Sequence, residues 1–528
     1  MSPNPYPPSY KSNKEDPPPP YSPAASARIT EQTPLFPDNN SNTRNPRPPI
    51  IRIYLPTPGA GSAGISTSYT LSQLPLPITK RKKIHLNITL LDKNPTIGGR
   101  LTLPFQSDNS ILQKELHIED LSTACLSQSS ILAARAKSEL SLNYGISRSS
   151  QTSLTKTGFY DGNGIIAEVS RPRDKVGWGW LKLVWRYGAS VWRAGVLPDG
   201  ASSSFVEMMR KSSFPSRSES ATYESVWEIL EKGGMTDAVG LGAVERLEKN
   251  GVGGKYVEEI LRPQVRRQGG TEIEEVSDLV LSVLLKRENE GTCFDGEGGR
   301  VSEVLKKFVE KSGVELRLDT EVTGIRQEIL DEGKKIWVLE TKSTLNDTAE
   351  SEYTGYDHLV IAAPLNDSLF KSPNQDTNTR ETIIYRPIHT TFILTNTTPS
   401  FSPLLALLPT TPTQIHELTR LRQIHIPTTQ SLIQTLFLSR ILSNSIIPDE
   451  QIHTLFNGPS NVKEILHWKI ENAWPVSRPR SSGDSLGGFK LGDGLWSTGM
   501  GEGVVGGVDW SWVVGENVGR LLGREFRG

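Results

Sequence analysis

The feature that most constrains this chain is a G-x-G-x-x-G motif formed by Gly59, Gly61 and Gly64. A β-branched run at residues 50–55 precedes it and predicts a strand, and residues 65–71 predict a helix after it. Glycines let the backbone approach a pyrophosphate, and the first turn of the helix presents free N–H groups and a positive dipole end. The arrangement predicts a dinucleotide-binding turn made by Gly59, Gly61, Ser62, Ala63 and Gly64.

The next segment indicates which dinucleotide is bound. Residues 85–92 predict a second strand that ends at Asp92, whose carboxylate can accept hydrogen bonds from a ribose. Gly98, Gly99 and Arg100 follow shortly afterwards. This combination favours a flavin dinucleotide, FAD, over a nicotinamide dinucleotide. Arg100 is a candidate to neutralise a flavin phosphate or the ring, and the alternative for it is a salt bridge within the fold.

Length and composition limit the other possibilities. The chain has 528 residues, which is too long for one compact core and predicts at least two domains. Its 58 Lys and Arg balance 59 Asp and Glu, so no net charge favours a nucleic-acid partner. No apolar run reaches the ~18 residues that a transmembrane helix needs. The eight His and two Cys show no metal-ligand spacing, and we expect no metal site.

The first 47 residues are rich in Pro, Ser and Asn and are predicted to be a disordered tail. The tail contains no apolar segment typical of a secretory signal. Two short elements, Pro7–Tyr10 and Pro18–Tyr21, match P-P-x-Y, a polyproline motif that docks on WW domains. The alternative is that a tail of this composition produces such matches by chance.

Later segments of the chain are predicted to add further strands to the same sheet. A helix at residues 301–311 precedes the strand-like segment 314–325, in which the backbone of Val322 is expected to lie against the adenine. Residues 356–364 predict a buried parallel strand. A turn containing Gly499 and Met500 precedes a helix over 510–522, whose N-terminus is expected near the flavin ring.

These elements define the expected domains. The fold class is α/β, with an FAD/NAD(P)-binding Rossmann-like domain and an inserted α+β substrate domain. The cofactor domain is predicted to be discontinuous and to comprise residues 48–104, 291–370 and 485–528. The substrate domain is predicted to comprise residues 105–290 and 371–484.

An aromatic segment, residues 178–193, has Trp178, Leu181, Trp185 and Trp192 near helical spacing. Such a face is usually packed into a core, and the alternative is that it lines a pocket for a hydrophobic ligand. Both interpretations remain open from the sequence.

The chain resembles the prenylcysteine oxidases, also called prenylcysteine lyases. The most specific part of the resemblance is the K-L-V-W-R-Y-G segment at residues 182–188. The other matching segments are residues 59–64, Asp92 with 98–101, 262–266, 297–299, 356–366 and 496–522. In this family a further glycine-rich turn follows G-G-R-L, whereas residues 115–120 here contain no glycine.

The resemblance implies an FAD-dependent oxidation of farnesyl- or geranylgeranyl-cysteine by O2. The products would be cysteine, a prenyl aldehyde and H2O2, in the degradation of prenylated proteins in a lysosome or vacuole. The carbon between the sulfur and the alkene is a good hydride donor, because sulfur and the allyl system share the resulting cation. The cofactor supplies this chemistry, and the sequence identifies no catalytic side chain.

Two alternatives remain. One is an FAD-dependent amine oxidase-like enzyme, which shares the dinucleotide motifs. The other is a non-catalytic flavin-fold adaptor that binds WW domains through the N-terminal tail, which the missing glycine turn would favour.

Overall fold

A computed structural model describes residues 51–54, 59–74, 86–101, 110–116, 130–142, 156–170, 178–214, 222–290, 301–330, 333–344, 350–364, 369–370, 383–397, 405–409, 414–427, 433–481 and 486–526. The N-terminal tail, with both P-P-x-Y motifs, lies outside these residues. So do the glycine-rich segment 292–300 and residues 117–120 of the segment after G-G-R-L.

The strands, in chain order, are β1 (Ile51–Tyr54), β2 (Thr89–Leu91), β3 (Lys156–Tyr160), β4 (Ile165–Ser170), β5 (Glu315–Arg317), β6 (Thr320–Ile329), β7 (Lys335–Ser343), β8 (Glu350–Tyr356), β9 (His358–Ile361), β10 (Tyr385–Thr395), β11 (Leu405–Pro409), β12 (Ile415–Pro427), β13 (Ile433–Ser443), β14 (Val462–Pro475), β15 (Lys490–Gly492) and β16 (Leu495–Ser497).

The α-helices are α1 (Ser62–Gln73), α2 (Ile111–Glu115), α3 (Ile131–Leu140), α4 (Trp178–Tyr187), α5 (Ser190–Gly195), α6 (Ala201–Ser213), α7 (Val226–Lys232), α8 (Thr236–Gly240), α9 (Ala243–Lys249), α10 (Gly254–Tyr256), α11 (Arg262–Gly269), α12 (Asp278–Glu290), α13 (Val301–Ser312), α14 (Asp449–Leu455) and α15 (Val508–Glu525). A π-helical turn over Val257–Leu261 joins α10 to α11.

The first sheet has the strand order β15-β16-β9-β1-β2-β5. Its pairs are parallel except for the antiparallel pair β15–β16. Leu90 of β2 and Val360 of β9 are fully buried, as expected for strands that are covered on both faces. The helix after β1 leads to the neighbouring strand β2, which is a βαβ unit. The predicted α/β class and Rossmann-like sheet are confirmed.

Helix α15 packs along α1 through a line of glycines. A Cβ at Gly515 would lie 2.2 Å from the Ala63 carbonyl oxygen, and one at Gly519 would lie 3.0 Å from the Thr67 carbonyl oxygen. The missing side chains let the two backbones approach closely. The predicted C-terminal helix is confirmed, and it supports the helix that begins at the glycine turn.

A smaller antiparallel sheet has the strand order β6-β7-β8. Its buried side chains form one hydrophobic cluster with those of the parallel sheet, including Val322, Trp337, Leu359 and Leu91. This packing brings the start of β6 to the end of β2.

The third sheet has seven strands in the order β14-β10-β13-β12-β11-β3-β4. The pairs are antiparallel except for β11 and β3. All seven strands come from the segments that the sequence assigned to a substrate domain, and the domain boundaries themselves stay a prediction. In the described part of the chain, no helix is long and apolar enough to cross a membrane.

One sequence expectation is corrected. The aromatic segment is two helices, α4 and α5, which are separated at Gly188 with a φ of 57°. Core packing is wrong for its outer face, because Trp185 is 92% exposed and Trp192 is 52% exposed.

Candidate functional site

The glycine turn leaves the start of α1 open. Gly61 is the N-cap residue, and no side chain caps the helix. The first N–H groups of a helix have no partner within the helix, and here Gly61, Ser62 and Ala63 remain partly exposed while Gly64 is buried. An uncapped, accessible N-terminus of a twelve-residue helix has the features of a phosphate-binding site.

Asp92 lies directly after β2 and is fully buried against this turn. Its carboxylate accepts hydrogen bonds from the backbone N–H groups of Ala60 and, at 2.8 Å, Asn94. Burial raises the pKa of Asp92 to about 6, although hydrogen bonds from Asn94, Ala60 and Gly59 act in the opposite direction. Asp92 therefore holds the glycine turn in place.

The Gly98–Arg100 segment closes onto the same turn. The Gly98 N–H donates a 2.9 Å hydrogen bond to the Ala60 carbonyl oxygen. Gly98 and Gly99 have φ values of 138° and 63°, which favour glycine because other residues are strained there. This geometry explains the glycine pair and places Arg100 beside the turn.

Arg100 makes the salt bridge that was one of its two predicted roles. Its Nη2 atom lies 2.6 Å from each carboxylate oxygen of Glu502, and its guanidinium lies 5.5 Å from the centre of the Tyr385 ring. Burial favours a lower pKa for Arg100, but Glu502 and Tyr385 hold that pKa above its ordinary value. Arg100 thus remains a cation whose charge is balanced by Glu502.

The C-terminal turn contacts the site through Glu502, which pairs with Arg100. Residues Gly499–Gly503 form a 3₁₀ turn after β16. A Cβ at Gly499 would lie 2.8 Å from the Ala363 carbonyl oxygen, so this position requires glycine. Met500 is buried, and the Trp510 indole N–H donates a 2.7 Å hydrogen bond to the Gly501 carbonyl oxygen. The turn is therefore firmly anchored and carries Glu502 to Arg100.

Val322 is near the same region through its backbone. The Asp92 N–H donates to the Arg317 carbonyl oxygen at 2.9 Å, and the Thr320 N–H donates to the Asp92 carbonyl oxygen at 2.8 Å. These bonds bring the start of β6 to Asp92, and Thr320 lies two residues before Val322 in that strand. The pairing of β6 with β7 shifts by one residue between Val322 and Gly324, and the Val322 side chain packs in the cluster around Leu91.

The site contains two residues that the sequence did not single out. Glu502 is the only acid in a run of glycines, which is an unusual setting that could have drawn attention to it. Tyr385 gave no local signal, because it begins a strand of the seven-stranded sheet. Burial raises the pKa of Tyr385 well above its usual value, with a further contribution from the negative charge of Glu502. Tyr385 therefore stays a neutral phenol beside the ion pair.

These residues fit a flavin dinucleotide. The uncapped helix start suits a pyrophosphate, and Asp92 after the second strand suits a ribose. Gly98 and Gly99 have positive φ values that favour glycine and let this segment fold back onto the turn. Among the described residues, no group of His, Cys, Asp and Glu is arranged to hold a metal ion.

Two solved structures with a similar fold are described as oxidoreductases or oxidases. An oxidoreductase from Methanosarcina mazei has a TM-score of 0.50 at 14% identity, over 90% of this chain and 99% of that chain. A putrescine oxidase bound to putrescine has a TM-score of 0.52 at 11% identity, over 90% of this chain and 99% of its own. The chain thus shares the fold of these two oxidoreductases.

The family model described as prenylcysteine lyase matches residues 173–528. The chain belongs to the prenylcysteine lyase family, and its cofactor is FAD. No curated protein matches the chain closely enough to narrow this further.

Proposed function

We propose that this protein is an FAD-dependent thioether oxidase that cleaves prenyl-L-cysteine, in the degradation of prenylated proteins. The observation that carries the proposal is the family match over residues 173–528, which includes the K-L-V-W-R-Y-G segment and the C-terminal turn. The balanced reaction consumes one prenylcysteine, one O2 and one water. It yields cysteine, a prenyl aldehyde and H2O2. FAD, when bound, supplies the two-electron acceptor and passes the electrons to O2.

In this proposal the described residues hold and orient the cofactor. Residues 59, 61, 62, 63 and 64 bind the pyrophosphate with the open N-terminus of α1. Asp92 binds a ribose hydroxyl while it fixes the turn, and the backbone of Val322 lies against the adenine. Gly99, Arg100, Gly499 and Met500 line the flavin. No catalytic side chain is assigned, because the substrate carbon is activated by its own sulfur and alkene.

The substrate is proposed to bind between the cofactor domain and the segments 105–290 and 371–484. Tyr385 supports this assignment, because it begins a strand of the seven-stranded sheet and its ring lies by Arg100 in the cofactor site. The substrate-side sheet therefore reaches the cofactor residues directly.

The experiment is an H2O2 assay on the purified yellow protein with three substrates. Farnesylcysteine is expected to release H2O2 together with one equivalent of free cysteine. A saturated S-alkyl cysteine of similar length is expected to react far more slowly, because no alkene shares the developing cation. Putrescine is the control for an amine oxidase.

The outcomes distinguish the thioether oxidase from an amine oxidase and from a non-catalytic adaptor. H2O2 release from putrescine but not from farnesylcysteine would identify an amine oxidase and refute the proposal. A folded protein that neither retains FAD nor oxidises any of these compounds would favour the non-catalytic adaptor. The family match begins after the P-P-x-Y motifs, so it lends no support to a WW-domain partner.

A further inference from the structure

An exposed apolar surface on α4 and α5 includes none of the residues assigned above to the cofactor. Trp185 is 92% exposed and Leu181, one helical turn earlier, is 47% exposed. Trp192 is 52% exposed and Val196, just after α5, is 65% exposed. We call these four residues the tryptophan surface. Large apolar side chains that cluster in the open usually mark an interaction site.

The two helices are well packed beneath this surface. Tyr187 is buried and meets the Tyr256 ring edge-on, with the ring centroids 5.2 Å apart. Trp180 makes a similar edge contact with Trp192, with centroids 5.1 Å apart. The second contact places α5 beside α4. Because the inner faces already pack against the protein, the outer apolar residues are not needed for the core.

The charged residues on the two helices themselves are all cationic. Residues 178–196 contain Lys182, Arg186 and Arg193 and no Asp or Glu. Arg186 is paired with Glu259 at 2.9 Å. Lys182 and Arg193 are exposed and stand next in sequence to Leu181 and Trp192. The surface therefore combines tryptophan, aliphatic and cationic side chains.

We propose that the tryptophan surface binds the interface of an anionic lipid membrane. Trp is favoured at a membrane interface because its ring is apolar and its N–H remains hydrated. Exposed Lys and Arg beside it complement negatively charged lipid headgroups. The Trp185 side chain is almost free of protein neighbours, so it does not form part of a shaped pocket. A fluid bilayer accommodates a projecting ring without needing such a pocket.

One further argument rests on the proposed function. A prenylcysteine is an amphiphile with a long apolar chain, and it partitions into membranes. An enzyme that docks on the same membrane meets its substrate at a high local concentration. The arguments from exposure and charge do not depend on this reaction.

The test is cosedimentation of the full-length, FAD-loaded protein with lipid vesicles that contain no prenylcysteine. Phosphatidylcholine vesicles with a minor fraction of phosphatidylglycerol are expected to bind the protein. Vesicles of phosphatidylcholine alone are expected to bind it less, and added salt is expected to weaken binding because it screens the headgroup charge. The double variant L181S/W185S is expected to lose roughly tenfold or more in binding, since two interfacial anchors are removed.

The matched control is Ile329→Ser, which removes an apolar side chain that is 69% exposed at the end of β6. This variant is expected to bind vesicles like the wild type, and both proteins are expected to keep the flavin absorbance. Lys182→Glu is expected to weaken binding only to the vesicles that contain phosphatidylglycerol.

Two outcomes would overturn the proposal. Wild type and L181S/W185S that sediment equally, or not at all, would show that the surface does not bind lipid. A wild type that is dimeric in light scattering and becomes monomeric in L181S/W185S would assign the surface to a second copy of the chain. Vesicle binding without farnesylcysteine oxidation would retain this inference and refute the proposed function.

Discussion

At the residue scale, Gly61 begins the helix that is proposed to bind the pyrophosphate. It is the N-cap of α1 and is partly exposed at the helix start. We predict that Gly61→Val blocks the approach of the pyrophosphate and yields protein without bound FAD. The measurement is the flavin absorbance of purified protein. Gly164→Val is the control, because Gly164 has no neighbour within 4 Å of a new Cβ, and it is expected to remain yellow.

Asp92 provides a prediction on pH. Its pKa is raised from 3.8 to about 6 in the folded protein, so the folded state binds its proton more tightly than the unfolded state. The contribution to stability is therefore present below pH 3.8 and is lost as the pH rises through about 6. The loss amounts to at most about 3 kcal/mol.

The measurement is denaturant unfolding of the FAD-free protein at several pH values across this range. Asp92→Asn is expected to remove this component, so that the difference in unfolding free energy between variant and wild type changes with pH. A difference that stays constant with pH would contradict the raised pKa.

Glu502 is expected to stabilise the protein through Arg100. The Glu502 and Arg100 side chains are only 14% and 22% exposed, so Glu502→Gln leaves a largely buried cation with a weaker partner. We predict a loss of about 1–3 kcal/mol in the free energy of unfolding, measured by urea denaturation. The control is Glu328→Gln, which breaks the more exposed Arg326–Glu328 pair at 3.0 Å and is expected to cost at most about 1 kcal/mol. Equal losses of unfolding free energy in the two variants would show that the Arg100–Glu502 pair stabilises the protein no more than an exposed ion pair does.

At the element scale, the contact between α1 and α15 supports the site from behind. A Cβ at Gly515 would lie 2.0 Å from the Ser66 Oγ atom and 2.2 Å from the Ala63 carbonyl oxygen. We predict that Gly515→Ala pushes the helices apart and costs about 1–3 kcal/mol. It is also expected to weaken FAD binding, because Ala63 is in the first turn of α1.

Gly254→Ala is the matched control for this contact. Gly254 begins α10, and a Cβ there would meet nothing within 4 Å. The substitution is expected to be neutral or slightly stabilising. Urea denaturation and FAD titration of both variants test the prediction. A Gly515→Ala protein as stable as Gly254→Ala would show that α15 can shift without cost.

At the scale of the whole molecule, both large sheets share one hydrophobic core. The same cluster of buried side chains includes Ile65 of α1, Val360 of β9 and Phe392 of the seven-stranded sheet. We predict that FAD stabilises the described part of the chain as one cooperative unit. At a hundredfold excess over its dissociation constant, FAD is expected to add about 2.7 kcal/mol.

Calorimetry with increasing FAD tests this cooperativity. The expected result is a single transition that moves upward with FAD concentration. Two transitions, of which only one responds to FAD, would show that the substrate-side sheet folds independently of the cofactor domain.

Much of the fold was predictable because its signals are local. The G-x-G-x-x-G turn, the strand before Asp92 and the glycines at 98 and 99 each reflect backbone requirements of a few neighbouring residues. The segments that contain β1, β2, β5 and β9 were each predicted to contribute a strand to one dinucleotide-binding sheet. The seven-stranded sheet was less predictable, because its strands pair across long separations in the sequence.

The sequence by itself determined the class of sheet, the glycine turn and the cofactor, since glycine and strand patterns act over short distances. Only the tertiary structure decided that Arg100 meets Glu502 and Tyr385, because these residues come from distant segments that share no local pattern. The tertiary structure also decided that the Trp185 side chain is exposed and not packed in the core. Helical spacing shows that a face is apolar, but only the packing of the neighbouring elements determines whether that face is covered.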